Sequence, residues 1–584
     1  QNLTLEFGAG LHEARWSGRF TSGTVGLSRT SGPGVQRFTG GTEASPFTAP
    51  FLSVSTGAVR LGGGFFSFTD TASTPVATAP LDVSGANAVL GIVDGAQVRA
   101  GSGVRVHGGG LLFVTGTGSR LDVQPDSATG RSSLSVGQDG LGSLAMSAGG
   151  SVTASDLRLG ISRGPTGAEV SVAGGGQLFL DLLSFEGYGG TLIVSGGTAF
   201  IHRLDSVVHD PLRPSVIELS DGPSGTPALT LGTPGAAPGT STRFRGSISD
   251  GALGPGSIRK IGSDEIIANP HISGRLIIDE GVFRVEDRTA LEGATVEINR
   301  DDGLVYSSTL GGMVLMGALS GSGRFSLPQT GLNLGSTLLR DATFAGALNL
   351  GAMLLKNGEN KQVLTGGARF TSVAVEGGTL EFRGGEYELL PGNGVIRIEN
   401  QIGDARLTLS GGARFDDSMG STQVFSNPDS NAFLLLSGPD TRLITQDVRV
   451  QSQGSASVRV ENGAKLVAIQ GMTGGGRDVS FTVDRGSVET GPVFQVDTQQ
   501  IFSISDPVAT VGQTSLTRPA AWTVTTAPGR PGYTPDFFYR GHFEDGPSGP
   551  GSVAFAGSGF RAVFSGQLNY TGRTIVDGSG VALE

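Results

Sequence analysis

Cysteine is missing from all 584 residues of this chain. Disulfide staples, thiolate zinc sites and cysteine nucleophiles are removed together, so the fold must rest on packing and backbone ladders. A cysteine-free chain of this length suits bacterial proteins that cross the periplasm to the surface, where stray disulfides interfere with export. No apolar run reaches the about 18 residues that a membrane helix needs. The first residues, QNLTLEFGAG, lack the charged and apolar regions of a signal peptide. The expectation is a mature or trimmed chain with no transmembrane helix. Basic stripes are missing too: 41 Lys and Arg stand against 52 Asp and Glu, a formal charge of −11, and the cations are dispersed. Nothing there competes for a phosphate backbone, so nucleic acid is not an expected partner. Helix is not expected either. No stretch of about twelve residues combines three- and four-residue apolar spacing with freedom from Gly, Pro and β-branched clusters.

What is abundant is glycine, 98 residues of it, punctuating short apolar runs such as LLFV, SLSV, TLIV and FLLL without a collagen period. Hydrophobic residues make up 37% of the chain and are spread evenly, enough to offset the entropy of ordering. A short strand, a polar-Gly turn and a second strand recur. In the C-terminal half the copies LTLSGGARF, LLLSGPDTRL, VRVENGAKL and FTVDRGSV are anchored at Leu409, Leu436, Val460 and Val483, at spacings of 27, 24 and 23. In the N-terminal half the anchors are Val93, Val114, Met146, Val172 and Val194, at spacings of 21, 32, 26 and 22. Such a period marks a solenoid whose strands pair with the equivalent strands of the coils above and below. Leucine-rich repeats would show an LxxLxLxxN frame, and a propeller a period near about 40.

The chain therefore reads as all-β: a single long right-handed parallel β-helix (β-solenoid) with loop insertions, of about 24 coils at this period. The right hand follows from the lack of a strict hexapeptide. Four stretches are distinguished: 1–220, N-terminal coils; 221–242, a Pro/Gly-rich loop; 243–517, central coils; and 518–584, an aromatic and Pro-rich loop with a terminal repeat coil.

One stretch repeats closely. FRGSISDG at 244–251 returns as YRGHFEDG at 539–546, and each copy is followed by GPGS. Residues 242–286, TRFRGSISDGALGPGSIRKIG followed by ISGRLIIDEGVFRVE, resemble the autotransporter-associated β-strand repeat of type V secreted passenger domains. Residues 538–584 give a second copy and Val314 to Gly351 a degenerate third. The shared frame is aromatic-x-G, a glycine-flanked strand, then G-x-x-I-x-D/E-G before another strand. The resemblance implies a pertactin-like β-helix passenger, secreted or displayed on the bacterial cell surface. That family includes adhesins, agglutinins and proteins that capture host factors. The sequence ends at Glu584, before the amphipathic strands of a translocator barrel, so a barrel removed or another form of anchoring is expected. An uncapped terminal coil would also present an open edge for self-association.

Catalytic signatures are weak. Asp301 with Asp302 and Asp416 with Asp417 are paired acids, but neighbours on a strand face opposite ways, so each pair reads as a turn. GISRG, 160–164, matches the hydrolase elbow in spelling without the helix that elbow requires. His202, His209 and Asp210 lack the spacing of metal ligands. The GGxGxD nonapeptide does not recur, and no GKS or GKT closes a phosphate loop. No catalytic residue, metal or cofactor is expected. The densest aromatic cluster, Trp522, Tyr533, Phe537, Phe538 and Tyr539, is the candidate binding segment. The expected function is non-enzymatic adhesion, or binding of an extracellular or host protein or glycan, through faces and loops. The alternatives are a carbohydrate-active β-helix of the polysaccharide lyase or hydrolase type and a self-assembling surface or filament subunit.

Overall fold

The computed structural model describes residues 35–490, apart from 69–78, 102, 126–129, 162–166, 188, 207–213, 223–224, 234–239, 308–310, 336–339, 392–393, 401–402 and 477. Beyond that range it describes individual strands, from Leu3–Leu5 to Ala582–Leu583, and the segment 570–573. No described residue is helical. The protein is an all-β parallel solenoid of about 17 turns. That is fewer than the about 24 coils expected from the sequence period.

The chain forms two units, residues 1–294 with 303–307 and residues 295–302 with 308–584. In the first, eleven strands stack in chain order into one ladder, from Ala14–Trp16 through Gly110–Thr115 and Ser215–Ser220 to Pro270–His271. Each rung belongs to the next winding. Every second side chain points inward, so Leu90, Leu112, Leu144, Val170, Leu192, Ile217 and Ile248 form one continuous buried column across seven turns. Full burial of each contributes about 1.5–3 kcal/mol.

The anchors read from the sequence are true rung partners. Val114 pairs with Met146, Met146 with Val172 and Val172 with Val194. In the second unit Leu409 pairs with Leu436, Leu436 with Val460 and Val460 with Val483. The exception is Val93, since the rung of Val114 is Ile92. Both are apolar, and only the strand's own alternation, with Leu90 and Ile92 buried, distinguishes them.

The repeated segment has a physical basis. Phe244 is buried against Phe185, with ring centroids 5.2 Å apart. Gly246 is glycine because a Cβ there would lie 2.3 Å from both the Phe244 ring and the Ser215 carbonyl. Asp250, ahead of Gly251, accepts the Gly256 amide at 2.8 Å and reaches one turn on to Ser273. Asp545 in the second copy does the same with Thr571. Asp221, which also precedes a glycine, binds the Ala228 and Ser257 amides at 3.1 and 2.8 Å. Within the Pro/Gly-rich stretch 221–242, Leu229–Leu231 is a strand, laddered to Ala199–Ile201 and to Ile258–Lys260.

Two corners carry a buried lysine. The Lys260 ammonium donates to the carbonyls of Ile261 (2.6 Å) and Gly262 (2.8 Å) and to Asp264 Oδ1 (2.9 Å). The Lys356 ammonium donates to the carbonyls of Asn357 (2.6 Å), Gly358 (2.9 Å) and Gly377 (3.5 Å). Each corner is closed one turn later by a glycine at positive φ, Gly281 (φ 69) and Gly378 (φ 62). A Cβ on Gly281 would sit 2.6 Å from the Lys260 nitrogen.

Candidate functional site

In the second unit two outward faces carry depressions, and each arises from the residue types stacked along one column. On the first face the outward column runs Asn349, Arg369, Glu388, Asp416, Ile444. Beside it runs Glu386, Arg414, Arg442, Lys465. Ala347, Gly366 and Gly367 supply almost no side chain, so a hollow of about 530 Å³ opens between the charged walls. Arg369 is bound to Glu388 at 2.8 Å. Glu386, Arg414 and Arg442 are exposed and have no ion-pair partner among the described residues. The floor is rigid: Tyr387 and Phe415 lie buried beneath it with stacked rings 6.2 Å apart. The Tyr387 hydroxyl donates to the Leu364 carbonyl at 2.6 Å.

The second face builds a different chemistry. Its outward column runs Glu399, Phe425, Gln451, Gly475. A hollow of about 630 Å³ is lined there by Arg397, Glu399, Phe425, Asn427, Gln451 and Gln453 over the flat backbone of Gly475 and Gly476. Val424 and Ser426 face inward and are buried, so register obliges the Phe425 ring to face outward, where it is half-buried. Beneath, the Ser426 and Ser452 hydroxyls share a buried hydrogen bond of 2.7 Å. Arg397 and Glu399, two residues apart on one strand, neutralise each other as an ion pair.

Between these faces the strand Arg414–Ser426 bulges at Asp417 to Ser421. Asp416 and Asp417 are therefore strand residues, a correction to their reading as a turn. Asp416 is exposed and Asp417 is only 3% exposed. Burial, opposed by the Gly420 amide and reinforced by Asp416 and Asp447, pushes the Asp417 carboxyl up to about 7. Its Oδ2 has no hydrogen-bond partner among the described residues. Asp301 and Asp302 do form a turn, with Asp302 at φ 52 and held by Arg324.

Of the aromatic binding segment, Tyr533 and the side chains of the other four residues lie outside the described residues. The backbone sets them on two ladders. Trp522 pairs with Val488 and Val553, whereas Phe537, Phe538 and Tyr539 pair with Ala562, Val563 and Phe564. His202 is bound to Asp181 of the preceding turn at 2.9 Å. His209, Asp210 and residues 162–164 of GISRG lie outside the described residues. Among the described residues no group of three His, Cys, Asp or Glu is placed to hold a metal ion.

Neither hollow was singled out from the sequence. The available signal was the aligned tails QVFSN, RVQSQ and TGGG at 423–427, 449–453 and 473–476. Stacked in register, they place an aromatic, three amides and a glycine patch together. No family model matches the chain, and no curated protein matches it. The class it belongs to is defined by its fold, the parallel β-solenoids.

Proposed function

We propose that this chain is a secreted or surface-displayed, non-enzymatic β-solenoid of the autotransporter passenger type, which mediates adhesion or binds an extracellular protein or glycan through its outer faces. One observation carries the reading: two hollows on otherwise regular sheet faces gather the exposed side chains of Glu386, Arg414, Arg442, Gln451 and Gln453, which have no side-chain partner among the described residues, with the half-buried ring of Phe425. Solenoids bind through such extended surfaces, since each turn contributes one rung of a continuous platform. The repeats at 242–286 and 538–584 support the passenger assignment.

The test is surface plasmon resonance of the purified chain against arrayed serum proteins, matrix proteins and glycans. Saturable binding weakened by Arg414→Ala with Arg442→Ala, or by Phe425→Ala, is the expected result. No saturable binding to any arrayed macromolecule overturns the reading. A second reading, a polysaccharide-cleaving β-helix, draws on Glu386, Glu388 and Asp416 standing beside three arginines in the first hollow. A fall in polysaccharide viscosity on incubation, abolished by Glu386→Gln, would select it.

A further inference from the structure

We propose that the hollow around Phe425 is a subsite for a short neutral stretch of an extracellular glycan, about two sugar rings long. The inference rests on the binding reading above and names the ligand class for one of its two hollows.

Four features point to this class. The ring of Phe425 faces outward on a sheet column and is only half-buried, leaving an apolar plate on which the C–H face of a pyranose ring can lie. Gln451 and Gln453 are exposed, and their side-chain amides make no hydrogen bond among the described residues. Each amide offers donors and an acceptor side by side, the complement of neighbouring hydroxyls that both donate and accept. Asn427 is held through Nδ2 to the Asn400 carbonyl at 2.8 Å, which leaves its amide oxygen as a fixed acceptor.

Room and charge agree with the same ligand. Gly475 completes the column one turn beyond Gln451, so the platform from Phe425 spans two rungs, about 10 Å, with bare backbone at its far end. Two linked sugar rings fit that length. The cation and anion of this hollow, Arg397 and Glu399, are paired with each other. Among the described residues it therefore has no unpaired cation for a sulfate or carboxylate, unlike the first hollow with Arg414 and Arg442.

The test is titration of the full chain, by calorimetry and ligand-observed NMR, with neutral tetrasaccharides of glucose, mannose, galactose and N-acetylglucosamine, and with a heparin-type tetrasaccharide as the acidic contrast. At least one neutral probe should bind, with affinity insensitive to salt. Phe425→Ala should weaken it by about tenfold, and Gln451→Ala with Gln453→Ala by a similar factor. Phe425→Trp should retain binding and report it through a shift in indole emission, which also shows that the altered site folds. Arg414→Ala with Arg442→Ala should leave neutral binding unchanged. No neutral binding at about 10 mM, or equal binding by Phe425→Ala, overturns the subsite. Binding of the heparin-type probe alone, lost in the double arginine variant, overturns the subsite and leaves the broader binding function standing.

Discussion

Asp250 holds Ser273, one turn further along the chain, with three hydrogen bonds. The Ser273 amide donates to Oδ1 at 3.1 Å and Oδ2 at 2.9 Å, and its hydroxyl donates to Oδ2 at 2.6 Å. Asp545 and Thr571 repeat the arrangement, with amide contacts of 3.0 Å to both oxygens and a hydroxyl contact of 2.6 Å. The closest sequence repeat in the chain thus encodes a clasp between successive windings. Hydrogen bonds to a charged acceptor contribute about 1.5–3 kcal/mol each when one partner is removed. Asp250→Ala should lower the denaturant midpoint and speed amide exchange at Ser273 and Gly256. Unchanged exchange at both amides would refute the clasp.

The two lysine corners should respond unequally to the same substitution. Lys260→Met leaves Asp264, which is 3% exposed, as a buried carboxylate without its cation, a loss of about 3–5 kcal/mol. Lys356→Met leaves only carbonyl groups unpaired, because Asn360 stands where the other corner has Asp264, and the loss is about 1–3 kcal/mol. Equal losses in chemical denaturation would contradict the roles given to Asp264 and Asn360. Burial, only partly opposed by Asp341, lowers the Lys356 ammonium from 10.5 to about 8. The unfolded chain then holds more protons than the folded one between those values, so stability rises with pH from about 8 to 10.5. Melting curves across that window should show the rise in the parent protein and a flatter profile in Lys356→Met.

Glu381 predicts the acid limb. Burial raises its carboxyl, but hydrogen bonds from Arg383, Lys361 and Ser410 outweigh that and bring it from 4.5 down to about 2. A depressed carboxylate stabilises the fold above the unfolded value and loses that contribution as pH falls through the folded one. Glu381→Gln should destabilise by about 2 kcal/mol at pH 7 and by progressively less between pH 4.5 and about 2. A loss independent of pH would show that packing, not charge, is what Glu381 supplies.

Asp417 should behave in the opposite sense. Its carboxyl is raised from 3.8 to about 7 by burial, so the folded chain holds the extra proton and stability declines as pH rises from about 4 to 7. Asp417→Asn keeps the shape without the charge. It should match the parent near pH 4 and exceed it in melting temperature at pH 8. A lower melting temperature at pH 8 would mean that the ionised carboxylate has a partner in the fold.

The winding was legible in the sequence because inward positions alternate with outward ones and repeat at each turn. Val114, Met146, Val172 and Val194 fall on one ladder for that reason. Side-by-side placement of outward residues was not legible. It depends on the length of every intervening corner, and those lengths vary from turn to turn. Phe425, Gln451 and Gly475 become neighbours only after the rungs are set. The bulge after Asp417 was hidden likewise, since two adjacent acids spell a turn as readily as a strand whose faces differ. Nothing in the sequence set Lys260 and Lys356 apart from the other dispersed cations, since their burial depends on the corner that closes over them one turn later.

The Asp250 to Ser273 clasp has a consequence for how such a chain grows. Asp221 and Asp250, each ahead of a glycine, carry an acceptor for the winding after them, and Ser257 and Ser273 are the donors that receive them. A duplicated segment would therefore arrive with fitting ends on both sides. Length becomes a quantity that recombination adjusts in whole increments, with no new joint to be invented.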